Sequence, residues 1–381
     1  MISLAADLER HPEVARLRGP LAGAGKVAAV YLVGGAVRDL LLGAAHVDVD
    51  LVVEGDAVEV ARRLAEVTGE RLVVHGAFGT ATVGDVDLAT ARSERYAAPG
   101  ALPDVRPASL ADDLARRDFS INAIAASLAE ESFGAVTDPH GGVADVRAGV
   151  VRVLHDASFR DDATRLLRAA RYVGRLGFRL DDATAARARE AADAVTTVGG
   201  PRLRDALLAL LREDTAPAAI ALLGDLGVLS TLAPGLAVDE TALSHLDALA
   251  AEAPDVDRGR ARLALLLRSL ETGERSRLTG WLRLRRVDAA VILQAAAATA
   301  DRLPELPPEA ALVVGGAVGR RWLTQDRHVR LEVDGGVLAA ELGVTQGPEV
   351  GRILTALLRA KRAGELPDRA AELQRARALL G

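Results

Sequence analysis

The chain has 381 residues, half of them apolar, 26% charged and only 3% aromatic, with no cysteine and a formal charge of -6. That length exceeds one ordinary hydrophobic core, so roughly two to four domains are expected, and the Ala, Leu, Val and Arg richness favours helix. The missing cysteines exclude disulfides and thiolate metal sites, and the acidic balance argues against a protein that coats nucleic acid, while leaving room for a local basic groove.

The first twenty-odd residues read as a short helix running into the Gly/Pro/Ala loop "RGPLAGAGK". Residues 27 to about 138 mix strand and helix signals. Strands are predicted at "VAAVYLV", "VDVDLVV", "RLVVH", "TATVGDVDLAT" and "FGAVTD" from β-branched enrichment with Gly or Asp punctuation. Helices are predicted over 36–42, 56–68 and around 118–129. From about residue 158 onward the strand signal fades, and Leu and Ala recur at helical spacing through "LLRAARYVGRLGF", "LRDALLALLRE" and "RARLALLLRSL". The segments "EAPDVDRG" and "RLPELPPEA" read as joints within this helical part. No run of apolar residues reaches membrane-spanning length and no leader pattern opens the chain, so the expected location is cytoplasmic, with no membrane partner. Positive charge is almost all arginine, lysine occurring only at Lys26 and Lys361, and that bias carries no functional weight by itself.

Chemistry concentrates in four stretches. In "YLVGGAVRDLL", Gly34 and Gly35 sit between a strand and a helix, where free backbone N–H groups can cradle a triphosphate and Arg38 lies one turn in. In "HVDVDLVV", Asp48 and Asp50 alternate with core valines, so both point to one strand face, an arrangement that needs a cation or a shared proton. A pair of carboxylates so placed can hold two Mg²⁺ ions. A third acid is Asp87 in "GDVDLAT", with Asp85 on the same face and the choice between them open. "LADDLARRDFSINAIA" joins Arg116, Arg117, Asp118 and Asn122, a carboxylate for ribose hydroxyls beside arginines for phosphate. In "FRDDATRLLRAARYVGRLGF", Asp162, Arg165, Arg168 and Arg171 (or Arg175) recur at three- and four-residue steps and form one helical stripe. The stretch "LVVGGAVGR" echoes the first glycine motif without its Arg-Asp and reads as an ordinary Ala/Gly/Val helix.

Taken in order, "GGAVRD", "DVD", "VDLATARSERYAAPGALP", "LARRDFSINAIA", "DPHGG", the arginine stripe and the closing "LGVTQGPEVGRIL" resemble the class II tRNA nucleotidyltransferases, a family of CCA-adding enzymes and bacterial poly(A) polymerases in the polymerase β superfamily. The resemblance covers nearly the whole chain. It implies an α+β protein, with a polymerase β-like head of mixed sheet and helices over 1–150, then a helical neck (151–215), body (216–300) and tail (301–381). It implies two Mg²⁺ at Asp48 and Asp50, with Asp87 completing the catalytic acids. Triphosphate falls to Gly34, Gly35 and Arg38, and ribose and phosphate to Arg117, Asp118 and Asn122. Base recognition falls to Asp162 and Arg165, and further nucleotide contacts to Arg168 and Arg171. The implied activity is template-independent addition of C and/or A from CTP and ATP to the 3′ end of tRNA, with contacts to its acceptor and T arm. The family's Glu-Asp-Pro before the template arginine is replaced here by Asp161-Asp162-Ala163.

The base chemistry follows from the groups. A carboxylate accepts from the exocyclic amine of cytosine or adenine while an arginine donates to the neighbouring ring nitrogen. Uracil and guanine present a carbonyl and a ring N–H there, and leave both charged groups unpaired. The alternatives are a poly(A) polymerase, a small-molecule nucleotidyltransferase and a non-catalytic RNA-binding protein on the same scaffold. Which part of C-C-A is added is not legible in one sequence.

Overall fold

The computed structural model of the protein describes residues 2–24, 28–75, 79–345 and 347–380. Lys26 in the N-terminal loop, Val27 at the start of the first predicted strand and Gln346 in the tail motif lie outside the described residues. The chain forms two compact units, Met1–Val238 with Ser269–Leu284, and Asp239–Arg268 with Arg285–Gly381. The boundaries at 150 and 215 thus fall inside the first unit, and residues 216–300 are shared between the two.

In the first unit the strands run β1 (Ala29–Val33), β2 (Val49–Glu54), β3 (Leu72–His75), β4 (Thr80–Val83), β5 (Val86–Thr90), β6 (Arg92–Arg95), β7 (Asp104–Pro107), β8 (Ala125–Ser127), β9 (Val136–Thr137), and the short parallel pair β10 (Val150–Val151) and β11 (Arg179–Leu180). Seven of them make one mixed sheet in the order β3-β4-β5-β2-β1-β8-β9, while β6 and β7 pair separately as a hairpin. Strands β2 and β5 run parallel, and their register sets Asp50 directly opposite Asp87. On β2 the side chains of Val49, Leu51, Val52 and Val53 are buried and Asp50 faces out; each such apolar burial stabilises by about 1.5–3 kcal/mol. The sheet is backed by the helix Ala57–Thr68, which buries Ala57, Val60, Ala61 and Leu64 at i, i+3, i+4 and i+7. Asp56 caps its start by accepting from the backbone of Val58 and Glu59, and Gly69 ends it in the left-handed region.

Three sequence expectations change. The predicted helix around 118–129 is a short 3-10 turn, Ser120–Asn122, followed by β8, which pairs with β1 on one side and β9 on the other. Ala123 to Ala126 are fully buried. A run enclosed on both faces carries no alternation to separate strand from helix, and pairing with its neighbours decides. The loop "RGPLAGAGK" is helical over Arg18–Ala24. Asp48 stands one residue before β2 instead of within it.

The helices of the second unit include Glu240–Ala250, Arg258–Leu267, Arg286–Ala296 and Pro308–Val314. The echo motif "LVVGGAVGR" is helical on both sides of Gly315, as expected of an Ala/Gly/Val helix. The tail motif is a helix, a turn through Gly343 and a second helix, Pro348–Arg362. Val333, Leu338, Val350, Ile353, Leu357, Leu366 and Ala376 close a small core among the last three helices.

Candidate active site

The strand-turn-helix at the head of the site depends on Gly34. Its φ of 67° is one that L side chains rarely adopt, and a Cβ there would lie 2.6 Å from an Arg117 guanidinium nitrogen. Its N–H is donated to the Ile124 carbonyl at 3.1 Å. Gly34 therefore makes room for Arg117, and it is Gly35, at the start of the helix Gly35–Leu41, that lines the adjoining cavity.

That cavity, of about 500 Å³, gathers Gly35, Arg38, Asp48, Asp50, Arg117, Asp118, Asn122, Asp162, Arg165, Arg168 and Arg171. Nine arginines line it against six carboxylates, so an acidic chain encloses a locally cationic basin, the electrostatic requirement for a polyphosphate. Asp50 sits at the opposite extreme. Its side chain opens into the cavity, where desolvation by the surrounding protein, then the like charges of Asp87 and Asp48, push the carboxyl above the usual carboxylate range, with Arg117 opposing them. Asp87 is bound by Thr82, whose hydroxyl donates to it at 2.7 Å. Asp85 instead ion-pairs with Arg16 and is exposed in the β4–β5 turn, so of the two it is Asp87 that stands beside Asp50. The crowding of Asp48, Asp50 and Asp87 is chemistry that fits a hard divalent cation. Among the described residues no three acidic or imidazole groups form a closed cage. A cation held here would therefore keep water or substrate oxygens as ligands, the usual habit of Mg²⁺.

The basin is wired by charge-assisted hydrogen bonds. The buried Arg38 donates to Asn122 Oδ1 at 2.7 Å and to both oxygens of Asp39, with its guanidinium 5.3 Å from the Tyr172 ring centre. Asn122 donates to Asp118 at 3.0 Å, and Asp118 pairs with Arg168 at 2.6 Å. Asp118 raises the Arg168 guanidinium well above its ordinary value, against the effect of burial. Arg171 is paired with Glu213 at 2.5 Å.

The arginines of the stripe, Arg165, Arg168, Arg171 and Arg175, share one helix, but Asp162 stands outside it. A short helix ends at Asp161, Asp162 is extended at φ -140°, and the long helix runs Thr164–Leu176. Asp162 Oδ1 accepts from the backbone and hydroxyl of Thr164 at 3.0 and 2.7 Å, which ties it to the first residue of that helix. A short Asp that takes the backbone donor two residues on competes with the helical pattern and breaks the helix there. Arg165 is 4% exposed and donates to Ser158 Oγ at 2.6 Å and the Arg116 carbonyl at 2.8 Å. Asp162 and Arg165 share the cavity because the chain bends between them and not because they share a helix face.

Several contributors were not singled out by sequence reasoning. Asp113 is completely buried and takes Arg116 at 2.7 and 3.0 Å and Arg117 at 2.9 and 3.2 Å. The available signal is an acid on an apolar stripe, three residues after Leu110 and one before Leu114, followed at three and four residues by arginines. Glu94 on the β6–β7 hairpin accepts from Arg116, Arg92 and Tyr96, and burial, then Glu94, pushes the Tyr96 hydroxyl up to about 12. Arg202 pairs with Asp162 Oδ2 at 3.0 Å and donates to the Gly100 carbonyl at 3.1 Å. Of these contacts, Glu94 with Arg116 and Arg202 with Asp162 and Gly100 join residues far apart in sequence.

Comparison with known proteins follows the same lines. Residues 30–152 match the poly A polymerase head domain, and residues 177–239 match a segment described as a probable RNA and SrmB-binding site of polymerase A. The chain is 33% identical over 365 residues to the CC-adding tRNA nucleotidyltransferase of Deinococcus radiodurans, covering 94% of this chain and 91% of that one. It is 42% identical over 232 residues to the A-adding enzyme of Halalkalibacterium halodurans, covering 58% and 54%. Against the A-adding enzymes of Aquifex aeolicus and Geobacter sulfurreducens it spans only 27% and 26% of their length. An apo CCA-adding enzyme superposes with a TM-score of 0.84 at 29% identity over 99% of both chains. The Thermotoga maritima CCA-adding enzyme in complex with tRNA superposes with 0.80 at 28% identity, over 100% of this chain and 99% of that one. No described helix is long and apolar enough to cross a membrane. The end-to-end match to the Deinococcus enzyme and the head-domain match show that the chain belongs to the tRNA nucleotidyltransferase and poly(A) polymerase family, whose enzymes use divalent metals.

Proposed function

We propose that the protein adds C and/or A from CTP or ATP to the 3′ end of tRNA in the cytoplasm, releasing pyrophosphate. The observation that carries this reading is one cavity with crowded carboxylates at one end, Asp48 and Asp50, and a carboxylate with a tethered arginine at the other, Asp162 and Arg165. Arginines line the space between them.

In this reading Arg38, Arg117 and Arg168 bind the triphosphate, and Asn122 and Asp118 hold the first and last of these in place and meet the ribose. Asp162 accepts from the amine of the base while Arg165 donates to its ring nitrogen. The guanidinium is fixed beforehand by Ser158 and Arg116, which lowers the reorganisation needed on binding. Two Mg²⁺ held by Asp48 and Asp50 would activate the RNA hydroxyl and neutralise the leaving pyrophosphate. Asp87 receives the hydroxyl proton. In the tail, Arg352, Arg359 and Arg375 line an open groove with one acid, Glu365, which suits contact with the sugar-phosphate backbone of the acceptor and T arm without sequence readout.

The test is incubation of purified protein with tRNA transcripts ending before C-C-A, after C and after C-C, with CTP and ATP together and singly, and sequencing of the 3′ ends. Addition that stops within C-C-A supports the reading and assigns the protein as a CCA-, CC- or A-adding enzyme. Long A tracts on any RNA would make it a poly(A) polymerase, and no incorporation would overturn nucleotidyl transfer to RNA.

A further inference from the structure

Beside the nucleotide cavity lies a second one, of about 370 Å³, that shares Asp50, Arg92, Arg116 and Arg117 with it and is otherwise walled by the outer strands of the sheet. Its wall carries a row of polar side chains across three strands. Asp87 on β5 stands opposite Asp50 on β2, Thr82 on β4 stands opposite Asp87, and His75 on β3 lies diagonal to Thr82, its own direct partner being Thr80. Thr82 Oγ1 donates to Asp87 Oδ1 at 2.7 Å, and His75 Nε2 lies 3.1 Å from the same Oγ1.

The direction of this chain follows from proton counting. A threonine hydroxyl has one proton, and a carboxylate can only accept, so that proton points at Asp87. His75 must then donate through Nε2–H to the lone pair of Oγ1. The order is His75 to Thr82 to Asp87. A carboxylate rotates freely unless one oxygen is held; here Oδ1 is held, which fixes the plane and leaves Oδ2 for another donor.

We propose that Thr82 and His75 are positioning residues for nucleotidyl transfer, aligning Asp87 with the 3′-hydroxyl of an RNA terminus seated in the second cavity. The inference rests on the function proposed above. In the step it serves, the hydroxyl proton passes to Asp87 Oδ2 and the hydroxyl oxygen forms a bond to the α-phosphorus. The bond from that phosphorus to the oxygen bridging to the β-phosphate breaks, and pyrophosphate leaves with the electron pair. Neither Thr82 nor His75 touches the reacting atoms.

The experiment is single-turnover addition of CTP and ATP to a tRNA transcript by wild type, Thr82→Val, Thr82→Ser, His75→Ala and His75→Gln, with CTP affinity and thermal melting measured on each. Valine keeps the shape and strand preference of threonine and removes only the hydroxyl. The expected result is a roughly tenfold or greater loss of rate in Thr82→Val at nearly unchanged CTP affinity, with recovery in Thr82→Ser. His75→Ala should lose less, and His75→Gln, whose amide can donate to Oγ1, should recover part of it. The proposal is overturned if Thr82→Val transfers at the wild-type rate, if valine and serine variants are equally slow, or if the loss lies in CTP binding. A wild type that transfers nothing to any tRNA would overturn the functional reading and this role with it.

Discussion

Removal of Asp113 is the sharpest test of how the basin is held together. Its side chain is wholly buried and carries four hydrogen bonds from Arg116 and Arg117, plus a longer one from the Arg92 backbone at 3.3 Å. Alanine in its place leaves Arg116 with Glu94 at 2.8 Å but leaves Arg117 with only the Asn122 carbonyl at 3.4 Å. Breaking a buried ion pair by deleting one partner costs about 3–5 kcal/mol. Both arginines are 16–18% exposed, so water recovers part of that, and the low end, about 3 kcal/mol, is the expected loss. For a folding unit of this size it amounts to roughly 6–12 °C in the melting transition of the unit that holds the sheet. Arg117, no longer held, also loses its approach to Gly34, so CTP affinity should fall roughly tenfold or more. Asp113→Asn keeps an acceptor oxygen and should lie between wild type and Asp113→Ala. Calorimetric melting and CTP titration measure both effects. If Asp113→Ala melts within about 2 °C of wild type and binds CTP normally, Asp113 does not organise the site.

Asp48→Ala and Asp50→Asn should each abolish transfer while leaving the fold intact. In chelator Asp50→Asn should melt no lower than wild type, because it removes a charge opposed by burial and by its two acidic neighbours; substantial divalent-dependent activity in either variant would refute the assignment. Arg165→Ala deletes a buried guanidinium with two hydrogen bonds, so it should cost about 1.5–3 kcal/mol of stability and reduce discrimination against UTP. An equal rate loss for all four nucleotides would mean that the residue only braces the bend. Ending the chain after residue 329 removes the last three helices and their shared cluster; tRNA binding should weaken with a shallower salt dependence while CTP binding holds, and an unchanged salt slope would show that this segment does not meet RNA.

What was legible in the sequence is what is local. The glycine pair between strand and helix, the acids among the β2 valines and the Asp56-capped helix each announce themselves within a dozen residues. Hidden were the features fixed by partners far along the chain. Arg202 meets Asp162 and the Gly100 carbonyl, and Glu94 meets Arg116, across long stretches of chain. The segment 118–129 looks helical until β1 and β9 flank it. Asp85 and Asp87 cannot be told apart by alternation, and the choice is made by Arg16 from the N-terminal helices on one side and by Thr82 on the next strand on the other.

The break at Asp162 bears on how two residues can choose a base. On a continuous helix, side chains three apart are held only by their own rotamers, and both could swing to suit a poor ligand. Here one oxygen of Asp162 is tied to Thr164, and its other oxygen faces Arg202, which also holds the Gly100 carbonyl. In the function proposed above, an incoming amine bonds the remaining acceptor site of that oxygen beside Arg202. Arg165 is tied by two of its donors to Ser158 and Arg116, so it offers its remaining N–H groups in a fixed plane. A uracil, presenting a carbonyl to Asp162 and an N–H to Arg165, meets two groups that cannot turn away. If these two residues read the base as proposed, their fixed positions would convert a modest difference in hydrogen bonding into rejection, and that fixity originates in the break before the helix Thr164–Leu176.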